Sequence, residues 1–175
     1  MLAELAGRPL VMHVAERLLA SDVAGVFVVT RTDDYVLRVA LEYLPLQLVE
    51  CADADSGMSA SLAAGLGALP ATIEAVVIAL GDQPMISSQV IDRLIATWRA
   101  TGKPIVVPMY AGVRAHPVLF ARAVFPELLA IRGDQGGRDV IAHDPRRVAE
   151  VNVDEPPPID VDRQEDLRTL ETPRR

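Results

Sequence analysis

Ala75-Val76-Val77-Ile78-Ala79-Leu80-Gly81-Asp82-Gln83-Pro84 is the stretch on which the fold turns. Its first six residues form an unbroken apolar run of strand length, and Gly81 and Pro84 then bracket an abrupt turn. A continuous run, as opposed to an alternating one, is how a strand buried on both faces of a parallel sheet reads. Gly25 to Thr30 and Pro104 to Met109 have the same character. Helical patterns separate these runs. Residues 9–20 place Leu10, His13, Val14, Arg17 and Leu18 at helical spacing, with Pro9 suited to the first turn. Residues 58–69 are rich in Ala and Leu, and residues 87–101 open on a Ser that can cap a helix. Strand alternating with helix predicts an α/β fold with a doubly wound, mostly parallel sheet.

Outward from there the second half is less regular. Val118-Leu119-Phe120 reads as a short strand, followed by a helix over 121–130 and a turn over 132–137. A further helix runs to about His143, and Val148 to Val153 is a strand closed by Pro156-Pro157-Pro158. Residues 163–170 predict a terminal helix, fraying from Glu171. With no repeat, linker or low-complexity segment, residues 1–175 are expected to form one domain.

Composition narrows the functions. There are 17 Lys and Arg against 24 Asp and Glu, a net charge of −7, and half the residues are hydrophobic. That balance excludes a disordered chain and argues against nucleic acid, whose phosphates need clustered cations. No apolar run is long enough for a bilayer span. The opening MLAELAGRPL carries Glu4 and no basic stretch before an apolar core, so a cytoplasmic protein without an export signal is expected. The single Cys51 excludes an internal disulfide framework and reads as a buried small residue.

In open α/β sheets, ligands bind beyond the carboxyl ends of the strands. Asp82 falls at such an end, after Gly81, which permits close backbone approach. A second acidic group is Asp160-Val161-Asp162. If extended, it points both carboxylates to one face, and Asp82 with Asp162, or with Asp160, would suit Mg²⁺. The plain alternative makes Asp162 a helix cap, with Glu165 completing a capping box. Gly57-Met58-Ser59-Ala60-Ser61 and Gly133-Asp134-Gln135-Gly136-Gly137-Arg138 are glycine-rich helix starts whose free amides favour anions, and Arg138 adds a guanidinium. Arg114-Ala115-His116-Pro117 sets His116 just before a strand, where it can meet a phosphate or carboxylate, or do nothing. The sequence holds no HExxH, Walker loop, dinucleotide fingerprint or nucleophile elbow.

Taken in chain order, LAGRPLV at 5–11, GMSASL at 57–62, GDQP at 81–84, RAHPVLF at 114–120, GDQGGR at 133–138 and DVDRQEDL at 160–167 resemble the molybdenum cofactor nucleotidyltransferases, with the cytidylyltransferases as the subgroup most alike. The family pattern differs at Ala115, where it has Gly, and at Arg163-Gln164, where it has Thr-Pro. The resemblance implies a Rossmann-like, three-layer α/β/α nucleotidyltransferase that moves CMP from CTP to the phosphate of molybdopterin and releases pyrophosphate. By motif it implies Asp82 and Asp162 as catalytic Mg²⁺ ligands. Gly57, Ser59, Ser61 and Gly81 would lie at the nucleotide, and His116, Arg114 and Arg138 at the acceptor.

The family also has an N-terminal strand and a Gly-rich loop ending in Lys. Here no Lys precedes Lys103 and no glycine precedes Gly7. The expectation is therefore a sheet whose first, central strand is absent, with open edges and a marginal monomer. A competing reading follows: a catalytically incomplete protein that keeps the cofactor-facing half and binds the pterin, a molybdoenzyme or its chaperone. A third keeps the fold and changes the nucleotide to GTP or the substrate to another.

Overall fold

The computed structural model describes residues 2–133 and 136–171. A short antiparallel hairpin, β1 (Glu4–Leu5) and β2 (Arg8–Pro9), leads into α1 (Leu10–Leu19). Its turn is made by Ala6 and Gly7, both at positive φ (51° and 73°), a conformation that two-residue hairpin loops demand. The apolar spacing of α1 buries Leu10, Val11, Val14 and Ala15 along one side. Next come β3 (Phe27–Arg31), α2 (Tyr35–Leu41) and β4 (Gln47–Cys51), a β-α-β unit whose strands pair in parallel over five residues. Asp34 starts α2, its carboxylate accepting from the Leu37 amide at 3.0 Å. Asp34→Ala is expected to cost about 1 kcal/mol in a urea melt, the usual worth of such a cap.

The remaining elements are α3 (Met58–Ala68), β5 (Ala75–Ile78), α4 (Ser88–Thr101), β6 (Ile105–Tyr110), β7 (Val113–Arg114), β8 (Val118–Ala121), α5 (Phe125–Ala130), α6 (Arg138–His143), β9 (Val148–Val153) and α7 (Gln164–Glu171). Helix α4 ends where Gly102 turns left-handed (φ 65°) and returns its amide to Trp98 O at 2.9 Å. Ser87 precedes α4 as expected, but its side chain makes no cap; the hydroxyl reaches Glu155. At α7 the reciprocal half of a cap forms with a different acid from the one expected. Asp166, not Glu165, accepts from the amides of Asp162 and Arg163 at 3.1 and 2.8 Å.

Strands β5, β8, β6, β7 and β9 form one sheet. β6 and β9 are parallel over six residues, while β8 runs antiparallel to both β5 and β6. It follows that β5, β6 and β9 share one direction and β8 opposes it. Side chains of β6 and β8 alternate between two cores. Val106, Tyr110 and Leu119 meet Val90, Ile91, Leu94 and Ile95 of α4 on one face. Ile105, Val107, Val118 and Phe120 meet Leu66, Leu128, Val140 and Ile141 on the other. This alternation makes a three-layer, Rossmann-like α/β fold, as the sequence predicts. A third core lies under β3 and β4, where Val11 and Ala15 of α1 pack on Leu37 and Leu41.

One feature departs from a continuous sheet. Among the described residues β3 pairs only with β4, and β5 only with β8, so each has one open edge. Both strands line the same cavity of about 1600 Å³, walled by Val11, Val14 and Ala15 of α1 and by Leu62, Gly65 and Leu66 of α3. This is why β5, as apolar as a fully buried strand, is only half-buried at all four positions. No helix among the described residues is long and apolar enough to cross a membrane.

Candidate active site

Strand direction assembles the site. The pairing of Ile78 with Val118 puts the end of β5 beside the start of β8, so Gly81-Asp82-Gln83 and Arg114-Ala115-His116 leave the sheet at one end. Tyr110 pairs with Val153 at the shared carboxyl end of β6 and β9, which delivers residues 154–162 to the same rim. That is the crevice the sheet topology predicts for a ligand. The segment is pinned there by its backbone: the Val161 amide donates to Asp82 O at 3.0 Å. Val161 is buried while Asp160 and Asp162 are exposed, the alternation expected of extended chain.

Asp82 is half-buried, and its Oδ1 is shut off from solvent without a hydrogen-bond partner. Burial, with Asp160 and Asp162 adding like charge, raises its carboxyl above the ordinary aspartate range. Beside it Gln83 is almost wholly enclosed (4% exposed), and its Nε2 donates to Asp160 Oδ1 at 2.6 Å. His116, joined to Pro117 by a cis peptide, lines the same cavity. Burial pulls its pKa down, Asp160 and Asp82 oppose that pull, and the Arg138 guanidinium reinforces it. The imidazole is therefore neutral at neutral pH and free to act as donor or acceptor.

The cavity brings Ser61, Gly81, Asp82, Arg114, His116, Arg138 and Asp162 to one lining, joined by Gln83 and Asp160. Two expected residues stand back from it. Gly57, at φ 98°, makes the turn into α3 in a conformation that needs glycine. Ser59 is buried at the start of that helix, its amide donating to Gly133 O at 3.0 Å. That bond ties the GMSASL and GDQGGR segments together, although Asp134 and Gln135 lie outside the described residues. Arg114 lines the cavity but spends its charge on Glu150, at 2.8 Å.

Among the described residues no group of three or more ligand side chains is preassembled for a metal. The donor set is nonetheless hard oxygen, and a buried carboxylate oxygen without a partner, flanked by two more carboxylates, fits a divalent cation completed by phosphate and water. Gln83 escaped the sequence reading. Its type and position were visible in GDQP, but burial and partner depend on the distant 160–162 segment.

A family model described as MobA-like NTP transferase domain matches residues 1–150. The purine catabolism protein PucB of Bacillus subtilis (strain 168) is 28% identical over 135 residues, covering 70% of this chain and 62% of PucB. The chain thus spans less than two thirds of that curated relative. Rv0371c from Mycobacterium tuberculosis H37Rv is similar in structure with a TM-score of 0.85 at 27% identity, covering 97% of this chain and 87% of Rv0371c. The manganese complex of Rv0371c gives 0.83 at 25% identity, with 97% and 89% covered.

Proposed function

The chain belongs to the MobA-like NTP transferase family, and from that premise we propose that it transfers CMP from CTP to the terminal phosphate of a molybdopterin-type acceptor. The acceptor oxygen bonds to the α-phosphorus as the bond to the β-phosphate oxygen breaks, and pyrophosphate leaves. One observation carries the reading: the partnerless buried oxygen of Asp82 beside Asp160 and Asp162, at the carboxyl end of the sheet. Three neighbouring carboxylates repel one another unless a cation lies among them.

Asp82 and Asp162 would hold Mg²⁺, which when bound neutralises charge on the transferring phosphates. The rest falls to the chain. Phosphoryl-type transfer needs positioning and charge compensation more than a protein nucleophile. The Arg138 guanidinium is suited to an acceptor phosphate, and the neutral His116 ring can donate to another of its oxygens. Ser61 of α3 would face the nucleotide, while the Ser59 amide ties the start of that helix to Gly133. Residues 1–175 act in this reading as one cytoplasmic nucleotidyltransferase-like domain.

The test is a thermal melt with each NTP in turn, with Mg²⁺ or Mn²⁺, followed by pyrophosphate release on adding the molybdenum cofactor. CTP with Mg²⁺ is expected to raise Tm more than GTP does, since ligands stabilise by binding the native state. A larger shift with GTP overturns the choice of nucleotide. No shift with any NTP overturns the transferase reading in favour of a binding protein.

A further inference from the structure

We propose that Asp160 is a carboxylate of the cation site and that Gln83 is the positioning residue holding it there. This rests on the reading that the Asp82 corner takes a divalent cation, and it adds two residues to that corner.

A primary amide enclosed to 4% exposure must find partners for two donors and an acceptor. Gln83 finds a short bond from Nε2 to Asp160 Oδ1, at 2.6 Å. An ionised carboxylate only accepts, so this contact fixes which way round the amide lies. Its Oε1 is consequently turned into the protein, where it is buried without a partner. Leaving a buried acceptor unmade is costly, and an apolar side chain of similar shape would fill the space without that cost. What the glutamine supplies in exchange is the orientation of Asp160.

The backbone also supports adding Asp160 to the corner. Val161 N to Asp82 O clamps the segment beside the GDQP turn. Asp160, immediately before the clamp, is tied down by its side chain as well. Asp162, immediately after and exposed like Asp160, has its amide held by Asp166 at the start of α7. Asp160 is also near enough for its charge to act on both Asp82 and His116, and at Asp82 it weighs more than Asp162 does. The bond from Gln83 uses one Asp160 oxygen, so the other is free to face the cation. This is the arrangement by which outer partners orient metal ligands elsewhere.

The probe is Mn²⁺ itself, titrated into the full chain and followed by the EPR signal of the unbound ion. Asp160→Asn and Gln83→Met are each expected to weaken Mn²⁺ binding about 10- to 100-fold. The double variant should be no weaker than Asp160→Asn alone, because Gln83 acts through Asp160. The metal-free Tm of Gln83→Met should not fall. Wild-type affinity in Asp160→Asn, alongside lost binding in Asp82→Asn, overturns this inference and leaves the transferase reading standing. Additive losses overturn the positioning role of Gln83. Absence of Mn²⁺ binding to the wild-type chain overturns the cation reading and this inference with it. Asp160 is exposed, so Asp160→Asn decides the matter even if Gln83→Met does not fold.

Discussion

Asp82→Asn is expected to lower nucleotidyl transfer steeply and, in metal-free buffer at neutral pH, to make the protein slightly more stable. The two effects share a cause. The carboxylate is half-buried, one oxygen has no donor, and Asp160 and Asp162 crowd it with like charge. Its pKa in the folded state lies above the unfolded value, so the folded state binds its proton more tightly. That stability is fully present below the ordinary aspartate pKa of 3.8 and is lost as pH rises through the folded value. Asparagine removes the charge, so Tm at neutral pH should rise by a few degrees at most, with no gain below about pH 4. Turnover should fall by about 10²–10³ or more, the scale seen when one charge-stabilising group is removed from a transferring centre. Mn²⁺ should then raise the Tm of the wild type and not of the variant. Equal pyrophosphate release by the two proteins would remove Asp82 from the mechanism.

Phe120→Ala is expected to have the largest effect on stability, about 3–5 kcal/mol in a urea melt. Phe120 is 2% exposed on β8, which lies between β5 and β6, and it pairs with Val76 on one side and Ile105 on the other. It also polices the entrance to α6. A methyl group placed on Gly137 would meet the Phe120 ring at 2.8 Å, closer than real contacts allow. Gly137→Ala should therefore cost about 1–3 kcal/mol by overpacking. Combined with Phe120→Leu, it should cost less than the sum of the single changes, because the smaller side chain vacates the clash. Strict additivity would show that the ring does not set the position of the α6 start, and with it Arg138.

Much of this was legible in the chain. The run 75–80 and the turn 81–84 announce a strand end carrying a carboxylate, and the structure puts Asp82 there. Helix α1 follows from apolar spacing, α3 from its Ala- and Leu-rich composition and α4 from the Ser that precedes it, and packing on the sheet stabilises them. The strand Gln47–Cys51 was not legible. Among the described residues it has one ladder partner, and its half-buried Leu48 and Val49 lie between exposed Gln47 and Glu50, a weaker signal than a continuous apolar run. The hairpin at 4–9 is two residues per strand and has no periodicity to read. Nor could spacing bring Gln83 to Asp160, 77 residues away along the chain.

The open edges of β3 and β5 bear on cooperativity. The small sheet of β3 and β4 has its own apolar nucleus, and its link to the larger sheet runs through helices: α1, which contributes to both nuclei, and α3, which touches β3, β4 and α5. Helix contacts couple less rigidly than a shared ladder of backbone bonds. The N-terminal third can thus open as a foldon of its own while the larger sheet stays intact. Native-state amide exchange should separate the two, with β3 and β4 exchanging through a low-energy opening and β6 and β9 only on global unfolding. A folding free energy fitted to one transition would then describe neither part.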